Sequence, residues 1–360
     1  MSTINLRYPV YAPVDSVATD WPIGPTTKDL AQALSSPYPI AILPVMFNES
    51  HMWCYRQELS ELNLSQFGLI ILSDIEFESV KNIKSWAEQN NITNYILATG
   101  GQITGDMFDS RSMIYRPWWC YNLLKHNKYQ ATDVDNKPFI FDALLGARRP
   151  HRDYVMLALQ HNNLLTKSIA NYRDVFTTGT IVDHQTEEFA KIFSDQQLLY
   201  PYVSPNLNPN WEVADKIEKN ISPYVPWKIY QQTQYTIVTE TLGTGNCFFL
   251  SEKTTKALYA NRVFVVFSNA NYLKGLHSLG FETFSSIIDE SYDDNVLDFD
   301  RFRQATDQLI YLSRQNYQLI YKKIKPILDH NHNRLIKLQL ETQNQMKELL
   351  ENIIFTNVLD

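Results

Sequence analysis

The sequence predicts an α/β protein of two Rossmann-like domains followed by a helical tail, and three observations carry that prediction. Short apolar runs alternate with amphipathic stretches in both halves of the chain, which implies parallel βαβ units. At 360 residues the chain exceeds the size at which one core usually stops growing. From Phe299 to about Phe355 the pattern is mostly helical. Residues 1–135 are therefore expected to form an N-terminal domain and 136–298 a second. Residues 299–360 are expected to form a tail packing across them.

The first domain opens on a Pro-rich stretch, 1–35, expected to be irregular. Ile40–Phe47 (IAILPVMF) reads as a strand and Gly68–Leu72 (GLIIL) as a second. Glu78–Gln89 is an amphipathic helix with Val80, Ile83 and Trp86-Ala87 on one face. Asn94–Ala98 (NYILA) is a third strand, closed by Gly100-Gly101.

A helical stretch opens at Trp118-Trp119-Cys120 and ends near His126. The second domain begins with a strong strand, Pro138–Leu145 (PFIFDALL), then a Gly146–Arg152 loop and a helix from Asp153 to about Asn162. Residues 200–228 hold five prolines, Pro201, Pro205, Pro209, Pro223 and Pro226, and are expected to be a long irregular connection. Tyr235–Val238 and Val263–Phe267 are buried strands flanking a Gly-bearing loop (Leu242–Asn246) and a helix opening at Ser251-Glu252-Lys253. Asn271–Leu279 is a further helix, and Thr283-Phe284 starts a short strand. The tail is expected to break near Pro326 and around His330–Asn333. Leu335, Leu338, Thr342, Met346, Leu349 and Ile353 keep helical spacing, which suits packing better than a free coiled coil.

Composition narrows the function. A net charge of −7 disfavours a broad nucleic-acid surface, although a local basic groove stays open. Aromatic residues, at 13%, suit a core and cleft as well as sugar stacking. Three cysteines (Cys54, Cys120, Cys247) form no CxxC pair, which argues for a reducing compartment and against a disulfide framework or structural zinc. Residues 1–20 do not read as a signal peptide, and no window approaches a transmembrane span. A cytoplasmic protein is expected.

Two loops carry the candidate chemistry. Ser251 is a good N-cap, Glu252 falls in the first helical turn, and the amides there with the Lys253 ammonium suit a diphosphate. A solvated Glu-Lys pair is the plain alternative. Gly146–Arg152 places Arg148, Arg149, Arg152 and His151 directly after a buried strand, where an open sheet aims its ligand. A solvated basic turn is the alternative there. The sequence has neither GxGxxG nor GxxxxGK[ST], which counts against dinucleotide and P-loop chemistry.

Taken together, these segments resemble the α-1,3-fucosyltransferase family of GT-B glycosyltransferases over roughly residues 138–290. The resemblance rests on Phe139–Leu145 with its loop and Arg152 before DYVMLAL, on Thr239-Glu240-Thr241, on Gly243–Asn246, on Leu250-Ser251-Glu252-Lys253, and on Val263–Phe267. Ser251 stands where the family has Thr, Thr239 precedes Glu240 where an aromatic residue is common, and Ser268–Tyr272 replaces a Gly-rich turn. The resemblance implies a GT-B-like fold of two facing domains. It also implies a nucleotide-diphosphate sugar, GDP- or UDP-linked, as co-substrate, with no other cofactor. Arg152 and Lys253 would bind the diphosphate, Glu252 the ribose hydroxyls and Glu240 the sugar or its contacts, with Arg149, Thr241 and Asn246 completing the donor set.

An inverting transferase needs a base to take the acceptor hydroxyl's proton. Asp106, Asp109 and Glu76, with Asp74, lie just past expected strands of the first domain, and His51 and His184 are outside candidates. Asp289 and Glu290 either line the donor side or cap the next helix. Diphosphate charge would be met by Arg152, Lys253 and helix amides, so no metal is expected; Asp133-Val134-Asp135 lies in a polar loop. The function expected is metal-independent sugar transfer to a glycan or other hydroxyl acceptor. A non-catalytic glycan- or nucleotide-binding protein on the same shell is the alternative.

Overall fold

In a computed structural model, the described residues are 10–12, 26–48, 51–53, 62–74, 80–103, 112–114, 123–124, 127–131, 135, 137–176, 202–203 and 224–358. The chain is α/β, with two parallel sheets and a helical C-terminal region. It divides into two units, Met1–Tyr121 with Leu338–Asp360, and Asn122–Lys337.

The first unit contains β1 (Val10–Tyr11), β2 (Thr26–Thr27), α1 (Leu30–Leu34), β3 (Ile40–Asn48), β4 (His51–Trp53), β5 (Leu69–Asp74), α2 (Val80–Gln89), β6 (Tyr95–Thr99), β7 (Gly101–Ile103) and β8 (Ser112–Ile114). Its sheet runs β2-β1-β3-β5-β6-β8, with every neighbouring pair parallel and β4 antiparallel to β3. Strands β5 and β6 are apolar on both faces, as a parallel sheet buried on both sides requires. Helix α2 lays Val80, Ile83 and Ala87 against Ile70, Leu72 and Leu97. Asn91, at φ 55°, turns the chain out of this helix. Residues 1–35 are not wholly irregular. Tyr11 pairs with Ala41 on one side and with Thr27 of the edge strand β2 on the other, and the Asp29 carboxylate caps α1 by accepting from Gln32 N.

The second unit contains β9 (Phe139–Arg148), α3 (Pro150–His161), β10 (Ser168–Phe176), β11 (Tyr202–Val203), α4 (Trp227–Gln232), β12 (Thr233–Thr239), β13 (Cys247–Phe249), α5 (Glu252–Tyr259), β14 (Phe264–Phe267), α6 (Tyr272–Ser278) and α7 (Asp298–Leu312), followed by α8 (Tyr317–Val358), which continues past Lys337. Its sheet runs β11-β10-β9-β12-β14, parallel except for β11. The chain moves from β9 to β10 on one side and from β12 to β14 on the other. The strand order therefore reverses between β9 and β12.

Below that reversal a buried ion pair locks the sheet. Arg262 Nη2 donates to Asp142 Oδ2 at 3.0 Å, and both side chains are buried. Thr233 and Thr236 donate to the same oxygen at 2.8 and 3.0 Å. Arg262 Nη1 reaches the carbonyls of Tyr230 and Thr233. Every charge here has partners, as burial demands.

Four expected features are corrected. Strand β9 extends to Arg148, three residues past Leu145, because Gly146 takes φ 70° inside an irregularity of the β9–β10 pairing. Helix α3 starts at Pro150, not Asp153: Arg149 is extended and proline suits the first helical position. No strand forms at Thr283-Phe284, because side chains claim the local backbone. Phe284 N donates to Glu290, and Glu282 N and O both bond Asn331. The tail breaks at residues 313–316 instead of at Pro326 and His330–Asn333. Helix α8 runs through both because it is anchored on each side of the proline. Lys323 donates to Ser286 O, Arg334 donates to Leu279 O, and His330 and His332 bond Gly280 O and Tyr259 O. The helix expected over Trp118–His126 and the connection at 200–228 lie largely outside the described residues, with β11 and the start of α4 the elements described in the latter.

Candidate functional site

The two loops that carried the candidate chemistry meet at the reversal of strand order, beyond the carboxyl ends of β9 and β12. Ligands of open α/β sheets bind at such a point. Arg149 leaves β9 and Glu240 leaves β12, and side chains of one loop bond the backbone of the other. Arg149 Nη1 donates to the Thr241 carbonyl. His151 Nε2 lies 2.8 Å from the Glu240 carbonyl, which fixes the Nε2–H tautomer because a carbonyl only accepts. Gly243 packs on the other side of the imidazole, where a Cβ would come within 2.4 Å of Cγ and Nδ1. Glycine is required there by proximity, not by φ.

Helix α5 brings the third group. Ser251 Oγ accepts from Lys253 N at 3.2 Å, as expected of an N-cap. That turn directs Lys253 Nζ to within 3.2 Å of Thr241 Oγ1, 3.4 Å of Ser251 Oγ and 2.9 Å of Glu252 Oε1. Arg149 and Lys253 thus both meet Thr241, one at its carbonyl and one at its hydroxyl. Arg152, in the first turn of α3, is buried, and the nearest side-chain atom to a Cβ built on Gly146 is its Nη1, at 3.7 Å. Arg148 is paired with Asp153 at 3.2 Å.

These charges shape the titration of their neighbours. Burial, with the positive charges of Arg152, Arg149 and Lys253, holds His151 well below the usual imidazole range, against the opposing bond to Glu240. Its ring is neutral at pH 7. Burial favours a neutral Glu252, but the Lys253 and Lys256 charges overcome it and hold the carboxyl at about 2. Burial also lowers Lys256 to about 8, against the pull of Glu252.

Glu240 supports the loop from within. It is 1% exposed. Oε1 accepts from Thr254 and, at 2.8 Å, from Tyr272, while Oε2 accepts from Thr241 N at 3.1 Å. Burial and this carboxylate push the Tyr272 hydroxyl well above its usual range, so it remains a donor. Glu240 therefore braces the loop through its side chain and presents its carbonyl to His151.

Helix α7 closes the loop from behind. Arg301 donates from Nη2 to Gly243 O at 3.0 Å, from Nε to Ser268 O and from Nη1 to Asn295 O at 2.8 Å each, and it pairs with Asp298. Ser268 in turn donates to Leu242 O at 3.0 Å.

The structure thus brings together Arg149, Glu240, Thr241, Glu252 and Lys253, with Arg152 in the same helical turn as His151. Asn246 is exposed, immediately before β13. Asp289 and Glu290 belong to a separate turn: Asp289 accepts from Ser291 N at 3.0 Å, and Glu290 accepts from Thr283 Oγ1 and Phe284 N at 2.6 Å each. Glu76, Asp106, Asp109 and His184 lie outside the described residues. Asp74 ends β5 and His51 begins β4, with their side chains likewise outside the description. Sequence reasoning named His151 only as part of its basic loop, and it missed two residues: Tyr272 is an ordinary helix aromatic in sequence, and Arg301 lies in what read as a tail.

Among the described residues no group of three or more His, Cys, Asp or Glu side chains could hold a metal ion, and no helix is long and apolar enough to cross a membrane. The sequence matches no protein-family model and no curated protein.

Proposed function

We propose that this protein is a GT-B-type glycosyltransferase that binds a nucleotide-diphosphate sugar at the β9/β12 reversal and passes the sugar to a hydroxyl acceptor. One observation carries the reading: Arg149, from the head of α3, and Lys253, from the head of α5, converge on Thr241 where the strand order reverses. Two cations and helix amides suit a diphosphate leaving group, whose developing charge they would stabilise as the anomeric bond breaks. In this reading Arg152 adds a third cation, Glu252 contacts the ribose and Asn246 lies at the rim. Glu240 acts as a brace for the loop. The base is sought among Glu76, Asp106 and Asp109. Transfer is inverting and independent of metal, because the cations take the metal's place, and the setting is the cytoplasm.

A thermal-shift screen against GDP, UDP, CDP, ADP and dTDP, with and without magnesium, tests the donor site. The expected result is stabilisation by one base, insensitive to magnesium, with slow release of that nucleoside diphosphate from its sugar conjugate. Stabilisation without release would favour the non-catalytic binding protein. No shift with any nucleotide would overturn the donor site.

A further inference from the structure

Resting on the donor-site reading above, we infer that His151 couples diphosphate binding to the uptake of one proton. The imidazole is buried between the Glu240 carbonyl and Gly243, with 3% of its surface exposed. Its Nε2 hydrogen is committed to Glu240 at 2.8 Å, so an added proton goes to Nδ1, on the side against Gly243. Every element packed around it contributes a named group. Helix α3 contributes Arg149 and Arg152, and α5 contributes Lys253, paired with Glu252. The end of β12 contributes Glu240, whose carboxylate is held by Thr254, Tyr272 and Thr241 N. Helix α7 contributes the Phe302 ring at 6.4 Å, and Arg301 with its partner Asp298 behind Gly243.

Arg149, Arg152 and Lys253 disfavour a positive charge on the ring. A diphosphate bound to Arg149, Arg152 and Lys253 would neutralise that repulsion. The proton then comes from solvent to Nδ1, no other bond changes, and the imidazolium keeps its bond to Glu240. The sign follows from linkage. Without ligand, His151 titrates well below 6.5; with ligand, it titrates higher. Between those two values binding takes up a proton, so affinity rises as pH falls, by up to about tenfold per pH unit for one proton. Above and below that window the effect levels off.

The test is calorimetric titration of the full chain with GDP-fucose and UDP-glucose between about pH 5 and 8, in two buffers of different ionisation enthalpy. The phosphates of these sugar diesters do not titrate in that range, so an uptake measured there belongs to the protein. The expected result is a fractional proton uptake approaching one at the acid end, with tighter binding in parallel. His151→Gln, which keeps an amide donor for the Glu240 carbonyl, should show no uptake and no pH dependence. Binding by the unaltered protein with equal heats in both buffers would overturn the inference and leave the donor site standing. Uptake that persists in His151→Gln would overturn it also. No binding of either probe at any pH would remove the donor site and the inference with it.

Discussion

Arg301 donates from Nη2 to the Gly243 carbonyl at 3.0 Å, so a helix that read as part of a tail holds the loop of the candidate site. The same guanidinium answers Ser268 O and Asn295 O and neutralises Asp298. Arg301→Ala leaves that aspartate buried without its cation and is expected to cost about 3–5 kcal/mol of stability. Denaturant unfolding would check it. Arg301→Lys should recover little, because one ammonium cannot span three carbonyls.

The Arg262–Asp142 pair gives a second, independent stability prediction. Arg262→Met alone leaves Asp142 uncompensated and should cost about 3–5 kcal/mol, whereas Arg262→Met with Asp142→Leu should be closer to neutral. A double-mutant cycle in urea measures the coupling. Additive losses would mean that the two side chains act separately.

The parallel strands were readable because strands buried on both faces appear as near-continuous apolar runs. GLIIL, NYILA and PFIFDALL all fall within a residue or two of observed strands, except that β9 runs on through Gly146. The Ser251 cap was readable because capping is local. What failed depends on distant partners. HNHNR at 330–334 looks like a helix break, yet most of these side chains bond loop carbonyls or amides of the second unit. Thr283-Phe284 looks like a strand, but Glu290 takes the amide a ladder would need. Within the site, the residue types at Arg149, Lys253 and Glu252 were visible in the sequence. Their meeting at Thr241, and the diversion of Glu240 to Thr254 and Tyr272, were not, because strand order is not written in any local pattern.

Gly243 and Gly245 make a matched comparison. A Cβ at Gly243 runs into His151, so Gly243→Ala should cost about 1–3 kcal/mol and displace the loop. Gly245, at φ 89°, has nothing within 4 Å, so Gly245→Ala should cost about 1 kcal/mol through backbone strain alone. Thermal unfolding ranks the two, and nucleotide affinity should fall further in Gly243→Ala.

Glu252 gives a pH prediction. Its carboxyl titrates at about 2 in the folded chain, below its usual 4.5. Its contribution to stability is therefore present above about pH 4.5 and is lost as pH falls towards 2. Glu252→Gln should lower stability at neutral pH and flatten the decline between those values. Parallel curves for the two proteins across that range would contradict the assignment.

The central claim is that Lys253 and Arg149 form an anion site at the β9/β12 reversal. Its most direct test is the affinity of the unaltered chain, Arg149→Ala and Lys253→Ala for the nucleoside diphosphate that stabilises it best, measured by calorimetry at pH 7.5. Each substitution should weaken binding by about 1.5–3 kcal/mol, roughly 10- to 150-fold, with the fold intact by circular dichroism. Equal affinity in all three proteins would contradict the account and place any nucleotide elsewhere.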